Sequence, residues 1–281
     1  KGYLIKINSG TNLNFIKNSK IISQSPFYVK GSINDSIVFN SESMNGEGLF
    51  IFNTDKKSQF SFVSFNNLSN LKYKTWKLSG CVNFYHADVT FDNCLFNSNK
   101  RGDDFINIMN SEMKIINSEF NNILSDAFDG DFALGKILNC KFNNIGNDAI
   151  DISGSNISVD SCKIIGAKDK AISAGENSNI ILNSLVIDRC EIAINAKDKS
   201  VVKGKNIKIL NSNVALCAFQ KKSQFGPSHI IIEDYTCEKT NIKYLIEKGS
   251  YVQINKTKYL GDLDKVKNIL YGNMYGVKTE K

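Results

Sequence analysis

The sequence predicts an all-β solenoid: a single-domain, right-handed parallel β-helix of roughly nine to eleven rungs, each about 22 residues long. Three observations predict it. Ala127, Ala149, Ala171, Ala193 and Ala215 stand 22 residues apart, and Phe105 extends the series back by one period. A second column, Ser118, Cys140, Cys162, Ser184 and Asn206, runs at the same 22-residue period. Between these marks the polarity alternates, as in Phe128-Asp129-Gly130 and Ile150-Asp151-Ile152. Alternation of period two marks a half-buried strand, repeated here once per unit.

The elements follow in order. Residues 1–80 hold irregular rungs, in which IISQSPFYVKGSINDSIVFNS and QFSFVSFNNLSN read as strands of variable spacing. Residues 81–218 are regular. Cys81 joins the alanine series at a spacing of 24, with the two extra residues placed in the turn around Asn97 to Arg101. Phe96, Phe120, Phe142, Ile164 and Val186 each lie two positions after the Cys/Ser column and predict an internal apolar stack. Cys94, Cys140 and Cys162 share that column with serines, which reads as small buried thiols. Residues 219–281 supply C-terminal rungs and a cap. There an Asp-capped Val266/Ile269/Leu270 pattern predicts a short helix covering the end of the coil.

Composition bounds the function. A hydrophobic fraction of 42% is that of an ordinary globular chain. No run approaches the ~20 apolar residues that span a bilayer. The net charge of +7 comes from dispersed lysines, and no basic block interleaved with aromatics points to nucleic acid. Seven cysteines without a C-x-x-C pair and two histidines give no zinc pattern. The chain begins at Lys1 rather than Met, so it is expected to be a piece of a longer protein with a further domain.

The stacked Asn, Ser, Phe and Ile of the rungs between Cys81 and Ala218 resemble the parallel β-helix of the pectate-lyase superfamily. More narrowly, WKLSGCVNFYHADVTFDNCLF, SDAFDGDFALGKILNCKFNNIGNDAIDISGS and KAISAGENS are similar to the β-helical segment joined to CotH-like kinase domains in bacterial proteins. The kinase part is absent, and that segment has no assigned activity to carry over. The resemblance implies an extracellular or cell-surface location and a polysaccharide partner, expected to be acidic.

The candidate site is a run of aspartates. Two copies of D-A-(F/I)-D, Asp126 to Asp129 and Asp148 to Asp151, lie one period apart, with Asp131 close by. Rungs stack at about 4.8 Å, so Asp129 and Asp151 become outward neighbours. Asp131 shares that face, and Asp126, Asp148 and Lys170 form a bordering column at its rim. At that spacing and an effective dielectric of about 20, each ionised pair repels by roughly 3 kcal/mol. A cation, shared protons or nearby lysines must offset this.

The resemblance implies Ca²⁺ held by Asp129, Asp131 and Asp151, and a lysine abstracting the proton α to a uronate carboxylate. Lys170 is the first choice as base and Lys197 the second, with Asp129 and Asp151 at the reaction centre. Tyr85, Asn107, Asp126, Asp148 and Lys168 are the expected substrate contacts. Met109 and Phe219 share Tyr85's outward column and are candidate ends of a sugar groove. Two alternatives stay open: a glycoside hydrolase using Asp129 and Asp151 as its carboxylate pair, and a non-catalytic glycan-binding or structural surface module. His86 is placed beside Asn110 at the edge of the same face.

Overall fold

The structure, a computed structural model, describes residues 3–73 and 75–272. It is a parallel β-solenoid. Ten strands stack into one sheet and nineteen into a second that wraps the remaining sides of the coil. A regular rung contributes three strands, for example Asp104–Met109, Glu112–Ile116 and Glu119–Ile123. The first lies in the ten-stranded sheet and the other two in the nineteen-stranded one.

The corners explain the abundance of asparagine. Asn110 and Asn117 follow the first two strands of one rung and Asn122 is the penultimate residue of the third, all with positive φ. Asn139 and Asn144 repeat the pattern one rung on. Asparagine tolerates this left-handed conformation better than other side chains because its short amide bonds locally. Just past each corner a small side chain turns inward and ties two rungs together. The Oγ of Ser118 accepts the amide N–H of Cys94, and Cys162 Sγ accepts that of Cys140. Cys94, Cys140 and Cys162 are free, buried thiols, as the column predicts.

The core is a column of stacked side chains. Phe96, Phe120 and Phe142 are fully buried, with successive ring centroids 4.5 Å apart. The two extra residues of the Cys81 rung fall between Asn97, paired with Asn121, and Asp104, paired with Asp126. One expected column needs correction. The strand Asn179–Asp188 pairs Val186 with Lys163 and Ile187 with Ile164. The buried stack therefore continues through Ile187, and the small-residue column through Leu185 rather than Ser184. The turn at Glu176–Asn177 holds one extra residue, lost again before Ile192, which pairs with Lys170.

Two further expectations are corrected. The ten-stranded sheet is not half-buried throughout: Lys170–Gly175, Ile192–Lys197 and Val214–Phe219 are buried at every position, whereas Ile150–Ser153 alternates. The helix α1 (Val266–Tyr271) does not close the end of the coil. Its Val266 and Leu270 pack on Ile192, Val214, Cys217, Phe219 and Leu245, along the outer face of the ten-stranded sheet. Nor is it capped by Asp. Lys265 occupies the N-cap position without a side-chain bond, and the Val266 amide donates to Glu247 Oε1 at 3.1 Å instead. Among the described residues no helix is long and apolar enough to cross a membrane.

Candidate active site

The register places the aspartates as a grid. Asp129 pairs with Asn107 on one side and Asp151 on the other, and Asp151 pairs with Ser173. Asp131 follows Met109, which follows Tyr85, in the next outward column. Asp104 and Asp126 pair in the bordering column, and the backbone of Asp148 bonds the side chain of Asp126 one rung on. The sequence thus brings Asp129, Asp131 and Asp151 together on one partly exposed face, with Asn107 beneath.

The bordering column has a different character. Asp126 and Asp148 are buried rather than at a rim, 8% and 3% exposed. Asp126 Oδ1 accepts the Asp148 amide at 2.8 Å and Asn147 Nδ2 at 2.6 Å. Asp148 Oδ1 accepts the Lys170 amide at 2.9 Å and its ammonium at 3.4 Å. Lys170 also pairs with Asp169. These carboxylates fasten each rung to the next, and their reach into the open face is small.

Asp129 Oδ2 accepts Asn107 Nδ2 at 2.9 Å. Asp151 faces the ammonium of Lys197 at 3.6 Å, and that ammonium also donates to Ser173 Oγ at 3.2 Å. Lys197 reaches back over Gly175, where an added Cβ would stand 2.5 Å from its Cε. The glycine leaves the path that lets this lysine meet Asp151.

Protonation follows from burial and crowding. Burial, then the charges of Asp104, Asp131 and Asp151, push the Asp129 carboxyl well above the usual range. Burial and neighbouring Asp148 do the same to Asp126. Burial raises Asp104 to about 7, against a bond from Ser79. It raises Asp148 to about 6 despite Lys170. Asp131 is raised by burial and Asp151. For the lysines burial opposes the charge, but Asp148 and Asp169 hold Lys170 well above the usual amine range, and Asp151 raises Lys197 likewise.

Other expected contacts divide. Tyr85 stands on the site's own face, edge-on to Phe50 at 5.1 Å between centroids. His86 and Asn110 are within 3.3 Å, as expected. Lys168 is exposed and lines a separate groove with Arg189, Glu191 and Lys239, so it is not a contact of this site. Phe219 is fully buried in the cluster with α1 and cannot stack on a ligand. Among the described residues no group of three His, Cys, Asp or Glu side chains is disposed to hold a metal ion.

Sequence reasoning missed Tyr271, whose ring lies 6.0 Å from Lys170 Nζ and 4.8 Å from Lys221 Nζ. It also missed the Lys222–Glu176 ion pair near Asp131, and the aromatic group of Phe50, Phe52 and Trp76. No periodic signal marks Lys222 or Trp76, since Lys222 lies in a loop and Trp76 in the strand Trp76–Lys77 of an inserted hairpin, both outside the repeat. Asn195, on the column of Asp129 and Asp151, is fully buried with neither amide atom hydrogen-bonded.

No family model and no curated protein matches the chain. Solved structures do match. The D1069A catalytic domain of a GH87 alpha-1,3-glucanase in complex with nigerose is 11% identical at a TM-score of 0.50. The match covers 90% of this chain and 63% of that one, so the chain spans less than two thirds of that domain. Pectate lyase Pel9A is 12% identical at a TM-score of 0.47, over 88% of this chain and 69% of its own. PfbA, a surface adhesin of Streptococcus pneumoniae, is 11% identical at 0.35, over 91% and 89%. At these identities the likeness is one of fold. The narrower resemblance to CotH-associated segments finds no counterpart in these matches.

Proposed function

We propose that the chain is a polysaccharide-interacting β-helix, of extracellular or cell-surface location, that hydrolyses a glycosidic bond with Asp129 and Asp151. The observation that carries this is the pairing of two unlike carboxyls on adjacent rungs. Burial and the neighbouring carboxylates favour the protonated form of Asp129, and Asp151 faces the Lys197 ammonium at 3.6 Å. A protonated acid beside a carboxylate is the division of labour that glycoside hydrolysis needs. Asp129 gives its proton to the departing glycosidic oxygen. Asp151 attacks the anomeric carbon as the glycosidic bond breaks; water, giving its proton back to Asp129, then displaces Asp151 from that carbon and releases the sugar. Rung spacing of about 5 Å matches the separation of retaining enzymes.

Lysine-based elimination has less support. A general base must be a neutral amine at working pH, whereas Lys170 and Lys197 are both held as ammonium ions in carboxylate pairs. Their role in this reading is to balance charge. Ca²⁺ on Asp129, Asp131 and Asp151 has less support, because the Lys197 ammonium already sits 3.6 Å from Asp151, so no step is assigned to a metal.

The test is incubation with a panel of neutral α- and β-glucans and uronate-containing glycans. New reducing ends without an unsaturated product are expected. Asp129→Asn should lower kcat by about 10²–10⁴-fold, the usual contribution of acid–base catalysis, and Asp151→Asn, which removes the nucleophile, should abolish turnover. An unsaturated product would establish a lyase. Binding without any product would establish a non-catalytic glycan module.

A further inference from the structure

Toward its N-terminal side the outer face of the ten-stranded sheet carries a group of aromatic rings, one rung short of the edge strand Ile21–Ser23. Phe50 pairs with Asn83, and Phe52 with Tyr85. These are therefore the same two outward columns that carry Asp129 and Asp131 further along. Phe50 and Phe52 stack at 4.7 Å with an interplanar angle of 11°. Tyr85 meets Phe50 edge-on. Trp76 crosses both phenylalanines at 6.3 and 6.5 Å, with interplanar angles of 75° and 79°.

Trp76 reaches this place on an insertion. Leu49 pairs with Val82, a rung of 33 residues against the regular 22. The added length carries a small antiparallel hairpin outside both stacks, Lys72–Tyr73 with Trp76–Lys77. A bond from the Leu78 amide to the Leu71 carbonyl closes its base. The hairpin brings the chain's single tryptophan over the aromatic floor, yet Trp76 remains 52% exposed. An insertion that served only to seal an apolar floor would bury its largest ring. This one leaves about half of the ring exposed, beside the columns that carry the acidic face.

We propose that Trp76, backed by Phe50, Phe52 and Tyr85, forms a stacking subsite for a pyranose ring of a linear polysaccharide. A pyranose offers an apolar C–H face and a polar rim, which suits a rigid aromatic platform beside a polar groove. Tyr85 lies two rungs from Asp131, roughly 9.6 Å at ~4.8 Å per rung, so a bound chain spans both regions. The inference rests on the reading that this face takes a glycan, and it is independent of whether the glycan is cut.

Because Trp76 is the only tryptophan, its emission reports the subsite directly in the native chain. Linear gluco-, xylo- and galacturono-hexasaccharides are titrated, with the matching monosaccharides as controls. A saturable change in emission is expected with a hexasaccharide and not with its monosaccharide. Trp76→Ala should weaken calorimetric affinity by tenfold or more, as removal of an aromatic anchor does. Trp76→Phe should recover most of that affinity, and Asp129→Asn should leave the emission change intact. Emission that changes with no cleavage of any glycan would support the subsite and defeat the hydrolase. Cleavage with unchanged emission, and with Trp76→Ala binding as tightly as the native chain, would overturn the subsite alone. No emission change with any hexasaccharide would also overturn it.

Discussion

Replacing Asp129 by Asn separates the chemical from the structural role of the acidic face. The amide is nearly isosteric, and its oxygen can still accept Asn107 Nδ2, now bonded at 2.9 Å to the carboxylate. One native cost disappears. Burial and the neighbouring carboxylates favour the protonated form of Asp129, and retaining that proton at pH 7, above an ordinary value of 3.8, costs up to about 4 kcal/mol at 1.36 kcal/mol per unit. The substitution should therefore add roughly 3 kcal/mol, within that bound.

The sign follows from proton counts. Burial raises the folded value, so between 3.8 and that value the native state binds more protons than the unfolded one. Native stability therefore falls as pH rises through this window. Asp129→Asn removes that fall, so its advantage should be near zero at pH 4 and largest at pH 8. At roughly 2 °C per kcal/mol for a chain of this size, the melting temperature should rise by about 4–6 °C at pH 8. Thermal unfolding followed by circular dichroism between pH 4 and 9 reads it. Some slope should survive, because Asp148 and Asp104 still titrate near 6 and 7. A constant offset at every pH, or a less stable variant at pH 8, would refute the reasoning. Higher stability combined with lost hydrolysis is the expected signature of a strained functional group.

Two further outcomes are expected. Lys170→Met should lose about 3–5 kcal/mol in urea unfolding, because Asp148 and Asp169 are left without their buried cation; a loss below ~1 kcal/mol would show that the pair is not integral. Adding Ca²⁺ or a chelator should leave the melting temperature unchanged, whereas a rise near 2.7 kcal/mol at a hundredfold excess over Kd would restore the metal reading.

The solenoid was legible because its repeat is fixed by register, and register shows in sequence wherever rungs keep one length. The Asp129–Asp151 pairing follows directly from the 22-residue spacing. Val186 was misplaced because the extra residue at Glu176–Asn177 is compensated before Ile192, so the alanine column keeps its spacing across the slip. Val186 and Ile187 are both apolar and β-branched, and either suits the core. The helix pattern of Val266 and Leu270 identifies an apolar stripe but not the surface it covers. Nor does alternation reveal burial. Asn107, Ser173 and Asn195 point outward yet are 1% exposed or less. The lysines were illegible for another reason: burial and ion pairing move an amine in opposite directions, and only the distances to Asp148 and Asp151 decide.

The two sheets hold asparagine in different settings. At the corners of the nineteen-stranded sheet, amides form satisfied ladders. Asn139 donates to Asn117 at 2.8 Å, Asn143 to Asn121 at 2.8 Å and Asn144 to Asn122 at 2.9 Å. On the ten-stranded sheet, Asn107 Oδ1 and both amide atoms of Asn195 are buried without partners. An unmade buried hydrogen bond costs about 1–3 kcal/mol, and a serine or valine would avoid it. Such atoms are not confined to this column: Ser69 Oγ, Asn99 Nδ2 and Tyr235 Oη on the nineteen-stranded sheet are also buried without partners. What sets the column of Asp129 and Asp151 apart is that its buried amides stand in register with paired carboxylates on adjacent rungs.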